Sequence, residues 1–352
     1  MRRLLLLALL VCVLGAGCGG SRLCTLEVIL RAVPQHGERL TPQGIEVARD
    51  IITSRLATLG VADPIVSTRG SDEIFVELPG TRVAKDLAGI VSATGDLQFF
   101  DFEQALAPPT VTNGAPTPYP SLYSLLTAVK GAASTGTPEA YYLFQGDAQH
   151  GVMAGPAGTK SALTQGYTAG ELAHATILAV PANREVVSGP VETPATRPVK
   201  RSPDGVYWYL FKLPAALSGG DIRESQVRAG TDPNTGVPHV ALVFTAHGAK
   251  EFEAITKAEY ERGRLAAGPH GSTGVIDMRY AQHSAIVLDG KLQAAPFIDY
   301  TDAALSLGIS GGYAVIDNMA SLQAARNLAL VLRSGSLPYV FERVIVTSLC
   351  SG

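Results

Sequence analysis

The sequence predicts an α+β protein, and three observations predict it. The first hundred residues alternate strand-like and helix-like periodicity in the order strand, helix, strand, strand, helix, strand. A proline-rich break, APPTVTNGAPTPYP from Ala107 to Pro120, interrupts them with too many turn formers for regular structure. The last stretch then returns to an amphipathic helix, a sharp stop and a final strand. That element order is the split βαβ, or ferredoxin-like, arrangement. The expected organisation is a base over residues 25–104, an inserted subdomain over 105–236, and a second α+β part over 237–350 that returns to the base.

Thr25–Val33 reads as the first strand. Thr41-Pro42 follows, a capping hydroxyl ahead of a proline at the first helical position. Ile45, Ala48, Ile52, Leu56 and Leu59 form one apolar stripe, and Gly60 ends the helix. Pro64–Ser67 and Glu73–Leu78 are β-rich runs around a hairpin signal, with Asp63-Pro64 forming a turn. A helix over 82–93 and a strand over 97–102 complete the first unit. In the insertion, a short helix over 122–129 and a strand over 206–213 stand among glycine-rich loops.

Strand His239–Thr245, helix Gly248–Arg262 and strands Ser284–Leu288 and Leu292–Ile298 then repeat the element order, which points to a second split βαβ unit without any sequence repeat. Asp289-Gly290 supplies the positive φ angles of a tight hairpin. Asp317 is the expected cap of the closing helix, whose stripe is Met319, Leu322, Ala325, Leu328 and Leu332. Arg333 favours the negative end of its dipole, Gly335 takes the left-handed stop, and Pro338 forbids continuation. Val340, Val344 and Val346 lie in a strand that ends at Cys350 and is expected to close antiparallel beside Thr25–Val33.

Composition bounds the function. With 352 residues and 46% hydrophobic content the chain can build two or three cores. Its 28 basic and 31 acidic residues form no long like-charged run, so nucleic acid is not an expected partner. Arg2 and Arg3 precede an apolar run over 4–14 and then Cys18, the layout of a signal peptide over 1–17 and a tether over 18–24. The run is shorter than the roughly 20 residues of a membrane-spanning helix. Cys18 is the lipidation candidate, although Gly15 stands where a lipobox usually has leucine. Plain secretion and an uncleaved anchor are the other two readings. Of four cysteines, Cys12 lies in the signal, and Cys24 and Cys350 bracket the mature chain. If the outer strands are neighbours these two are either bridged, worth up to roughly 5 kcal/mol by loop entropy, or unpaired thiols.

Chemistry is sparse. Seven histidines (36, 150, 174, 239, 247, 270 and 283) lack metal-site spacing, and no metal or cofactor is expected. Gly308-Ile309-Ser310-Gly311-Gly312 fits the GxSxG nucleophile pattern, but no histidine follows in the required order, which favours a structural turn and no enzyme. Tyr207, Tyr209 and Phe211, with Trp208 beside them, are candidate polypeptide-binding aromatics if their strand has an exposed face; a core face is the other reading.

The segment LALVLRSGSLP, Leu328 to Pro338, resembles a signature of the SecD subunit of the bacterial protein-export machinery. Ala48–Val66, Asp72–Gly80, Val240–Thr256 and Ala285–Pro296 agree in the same order, so the resemblance spans roughly 40–345 and is weakest over 105–202. It implies the first periplasmic domain, a base carrying a mobile head, and an extracytoplasmic place at the cell membrane. It further implies partners in the Sec translocon or SecF-like membrane subunits and unfolded exported polypeptides as clients; the membrane anchor through lipid is expected from Cys18 and the signal layout instead. The sequence ends before the relatives' transmembrane helices, so the expected role is client binding without proton conduction. The rival reading is a stand-alone envelope lipoprotein that reuses the fold to bind a small ligand or an envelope partner.

Overall fold

The computed structural model describes residues 24–350 except 36, 79–84, 131–135, 148, 191–201, 270–273 and 318. The signal, the tether and Cys18 lie outside the described residues.

The chain begins with β1 (Cys24–Val33), α1 (Pro42–Thr58), β2 (Ile65–Arg69), β3 (Glu73–Leu78) and α2 (Lys85–Ser92). Thr41 caps α1 through the N–H of Gly44, with Pro42 at the first turn as its φ allows. In β1 every second side chain, Leu26, Val28, Leu30 and Ala32, is buried. Ile45, Ala48, Ile52 and Leu56 of α1 cover them. Each such side chain contributes roughly 1.5 to 3 kcal/mol on burial. β4 (Leu97–Asp101) follows, then the short helix α3 (Phe102–Ala105) and α4 (Leu122–Lys130).

Three small strands, β5 (Ala140–Phe144), β6 (Val152–Ala157) and β7 (Thr176–Val180), form a separate sheet in the order β6-β5-β7. Next come β8 (Arg184–Gly189), β9 (Tyr207–Lys212), β10 (Arg228–Thr231), β11 (Pro238–Val243) and the long helix α5 (Ala246–Ala267). The chain closes with β12 (Gln282–Leu288), β13 (Lys291–Ala294), β14 (Tyr313–Ile316), α6 (Leu322–Arg333) and β15 (Val340–Cys350).

The first sheet runs β15-β1-β3-β2 with every neighbour antiparallel. The last strand therefore closes beside the first. β4, expected to complete the first unit, pairs instead with β12 and with Leu217–Ser218 in a larger sheet, ordered β9-β8-β13-β12-β4. Its alternation was that of a strand, but alternation specifies a face to bury and not a neighbour. The second split unit does not form: β11 pairs with β10 and β14, apart from β12 and β13. Of the described elements after residue 236, only β15 belongs to the first sheet.

Two details of the closing helix differ from expectation. Its cap is Ser321, which accepts from the N–H of Ala324, so Asp317 and Met319 precede the helix. Gly335 does adopt the left-handed turn, at φ +80°. At the β12–β13 hairpin, Asp289 and Gly290 have φ of +49° and +68°, as the Asp-Gly turn requires. The long helix α5 is tied to the large sheet through polar groups. Ser284 Oγ donates to Glu259 Oε2 at 2.6 Å, and Arg262 Nε donates to Gln282 Oε1 at 3.2 Å.

Candidate functional site

The chain passes between the first sheet and the rest at two crossings that lie side by side. One is 94–96, between α2 and β4; the other is 334–338, between α6 and β15. Leu337 N donates to Thr94 O at 2.7 Å, and Ser336 Oγ donates to Gly95 O at 2.8 Å. Asp289, from the hairpin of the large sheet, accepts from Asp96 N at 2.8 Å and donates its own N–H to Asp96 O at 3.0 Å.

Arg55 is the hub of this waist. It is 0% exposed, yet it stands on the apolar side of α1. Its Nε donates to Ser334 Oγ at 2.8 Å and its Nη2 to Gly335 O at 3.0 Å, while Nη1 donates to Ile90 O and Ala93 O. The guanidinium thus fills carbonyls left open at the ends of α2 and α6, where helix dipoles favour a cation. Burial pulls its pKa down to about 10, which leaves it charged at neutral pH.

Beside the waist opens a cleft of about 840 Å³. The first sheet and its loops supply Gln35, Leu337 and Tyr339; the small sheet supplies Tyr142, Val152 and Val180; the large sheet supplies Gln98, Glu185, Val186 and Trp208. Tyr142, Val180, Val186 and Leu337 are buried, whereas Val152 is 50% exposed on the wall. Against these apolar surfaces stand the carboxylates of Asp96, Glu185 and Asp289. Burial, with the neighbouring Asp96 charge, pushes Glu185 up to about 7. Glu185 Oε2 and Gln98 Oε1 are buried with no hydrogen-bond partner. Unpaired buried oxygens are costly, so this pair invites a donor from outside.

The sequence-predicted site residues fall elsewhere. Tyr209 and Phe211 are both 0% exposed and belong to the core of the large sheet, edge-to-face against Phe102 and Phe100 respectively. Tyr209 Oη donates to Pro190 O at 3.0 Å, and Tyr207 packs on the same side, half-buried. The face with period two that carries these three is buried at Tyr209 and Phe211 and half-buried at Tyr207. Trp208, on the opposite face of the strand, is the member of the cluster that reaches the cleft. Ser310 is exposed in a loop that runs into β14, not at a turn from strand to helix. Cys24 and Cys350 are register partners at the end of the β1–β15 ladder. Among the described residues no group of three His, Cys, Asp or Glu is placed to hold a metal, and no helix is long and apolar enough to cross a membrane.

Arg55 and Glu185 escaped the sequence reading. A lone arginine in an otherwise apolar stripe marks the first; nothing local marks the second, because its partners come from positions near 96 and 289.

Comparison with known proteins matches two stretches of the chain. Residues 45–104 match the profile "Protein translocase subunit SecDF, P1 domain, N-terminal", and 196–339 match "SecDF, P1 head subdomain". Together they cover more than half of the chain. The head match extends well past 236, the boundary expected from sequence. Residues between the two matches include α4 and the small sheet. The protein translocase subunit SecDF of Thermus thermophilus is 27% identical over 313 residues, 89% of this chain and 28% of that protein. The subunit SecD of Syntrophobacter fumaroxidans is 25% identical over 314 residues, 89% of this chain and 40% of that protein. The chain therefore spans well under half the length of these relatives. A crystal structure of SecDF in a super-membrane-facing form aligns over 93% of this chain and 30% of its own, at 22% identity and a TM-score of 0.48.

Proposed function

The chain belongs to the SecD and SecDF protein-export family through its P1 region, and from that premise we propose that it is an extracytoplasmic, non-enzymatic accessory of protein export that holds extended polypeptide in the cleft beside the waist. The observation that carries this reading is the cleft itself. Its walls come from the first sheet and from the rest of the chain, so a guest bound there touches both. Apolar side chains offer contact without sequence preference, as a client of varied sequence requires. The unpaired oxygens of Glu185 and Gln98 accept what any unfolded chain offers, a backbone N–H or a basic side chain.

In this reading β1, α1, β2, β3, α2 and β15 are a ferredoxin-like base whose fourth strand arrives from the far end of the chain, and the remainder is the head. The waist is the hinge. Two adjacent crossings let the head tilt while Arg55 keeps the helix ends together. Partners are the Sec translocon or SecF-like membrane subunits, and a lipid on Cys18 holds the base at the cell membrane. Metabolic labelling with an alkyne fatty acid tests the anchor: label is expected on the wild type and absent from Cys18→Ser.

Client binding is tested by fluorescence anisotropy of a labelled, permanently unfolded basic polypeptide titrated with the full chain. Saturable binding is expected, tighter at pH 8 than at pH 6, because Glu185 is ionised above about 7 and neutral below. Absence of binding at both pH values would overturn the reading.

A further inference from the structure

We propose that Cys24 and Cys350 are joined by a disulfide that staples the first strand of the base to its last. The inference rests on the extracytoplasmic placement proposed above, since thiols stay reduced in the cytosol. What carries it is register. β1 and β15 run antiparallel from Val33↔Val340 at the waist end, through one irregularity beside Ile29, to Cys24↔Cys350 at the other. Directly opposed residues of such a ladder have Cα atoms about 4.5 to 5.5 Å apart, within the roughly 4.4 to 6.8 Å that a disulfide spans. A one-residue slip would place each cysteine opposite a different partner; the irregularity near Ile29 leaves the two opposed. The chain has only four cysteines, and the other two, Cys12 and Cys18, fall in the predicted signal and at its cleavage point.

The location gives the bond a use. β15 is an edge strand, held on one side by β1 alone. It is also the strand through which the second waist crossing enters the base, so a tilting head pulls on its Val340 end. A staple at the opposite end keeps that strand from leaving the sheet. It also joins the tether after Cys18 to the C-terminal end of β15, so load arriving at either end reaches the same corner of the base.

The reaction balances as thiol–disulfide exchange. Two S–H bonds are lost and one S–S bond forms, and the two electrons and two protons reduce an external disulfide, of a thiol oxidoreductase or oxidised glutathione, to two thiols.

The test is peptide mapping by mass spectrometry of the full chain isolated from cells whose free thiols are alkylated before lysis. A linked peptide pair containing Cys24 and Cys350, lighter by two hydrogens and split by reductant, is expected. Alkylation of both cysteines would overturn the proposal. A second arm then locates the failure: if purified protein forms the link with oxidised glutathione, the assigned compartment is wrong, and if it does not, the register is. Where the link is present, reduction should lower Tm by about 5 to 10 °C, and a Cys24→Ser, Cys350→Ser double variant should not respond.

Discussion

The waist and the cleft are neighbours that handle buried polarity in opposite ways. At the waist, the arginine buried in an apolar stripe donates to one hydroxyl and three carbonyls. At the cleft, Glu185 Oε2 and Gln98 Oε1 are buried with no hydrogen-bond partner. A fully paired network fixes a geometry, whereas an unpaired one is costly alone and is relieved by a guest.

The largest expected effect breaks the waist. Arg55→Ala strands the carbonyls of Ile90, Ala93 and Gly335 and should cost about 3 to 5 kcal/mol, read as a lower urea midpoint. Loss below 1 kcal/mol would mean that water replaces the guanidinium and that no clamp exists.

The next sharpens the cleft. Glu185 has a folded pKa near 7 and an unfolded one near the usual carboxylate value, so the native state holds a proton that the unfolded chain has released. Its contribution to stability therefore falls as pH rises from about 4.5 to 7. Glu185→Gln should remove that slope and raise stability at pH 8 by roughly 1 to 2 kcal/mol, with partial exposure allowed for. It should also abolish the pH dependence of client binding. A variant that is stabilised but binds as before would confine Glu185 to a structural role.

Ser336→Ala removes a single bond across the waist, to Gly95 O, and should cost about 1 kcal/mol in the same denaturation assay. Glu259→Gln gives the smallest effect. Burial holds that carboxyl well above its usual range, which favours its protonated form, and an amide replaces it with a change below about 0.5 kcal/mol. A large loss there would show that Glu259 is ionised and paired.

The first sheet and its helix were largely legible in the sequence because their signals are local. The stripe on α1 and the Gly335 stop each sit within a few residues of what they specify, and the closing strand followed from the antiparallel rule. Sheet membership was not legible. The strand over 97–101 has the right alternation for either sheet, and only the distant partner β12 decides. The aromatic run around Tyr209 shows the same limit, since period two gives two faces and the sequence does not say which is covered. The waist signature LRSGSLP was the strongest sequence signal, yet its physical meaning needed Arg55, nearly 280 positions away. The cleft was least legible: Asp96, Glu185 and Asp289 are assembled by tertiary packing alone.

The most direct measurement places a photocrosslinker at Val152, exposed on the cleft wall, and a second at Leu265, which is 83% exposed on the long helix α5, in the full chain during export. Adducts with diverse unfolded exported polypeptides from Val152, and few from Leu265, are the predicted result. Equal labelling from both positions, or none from Val152, would contradict the assignment of the cleft as the client site.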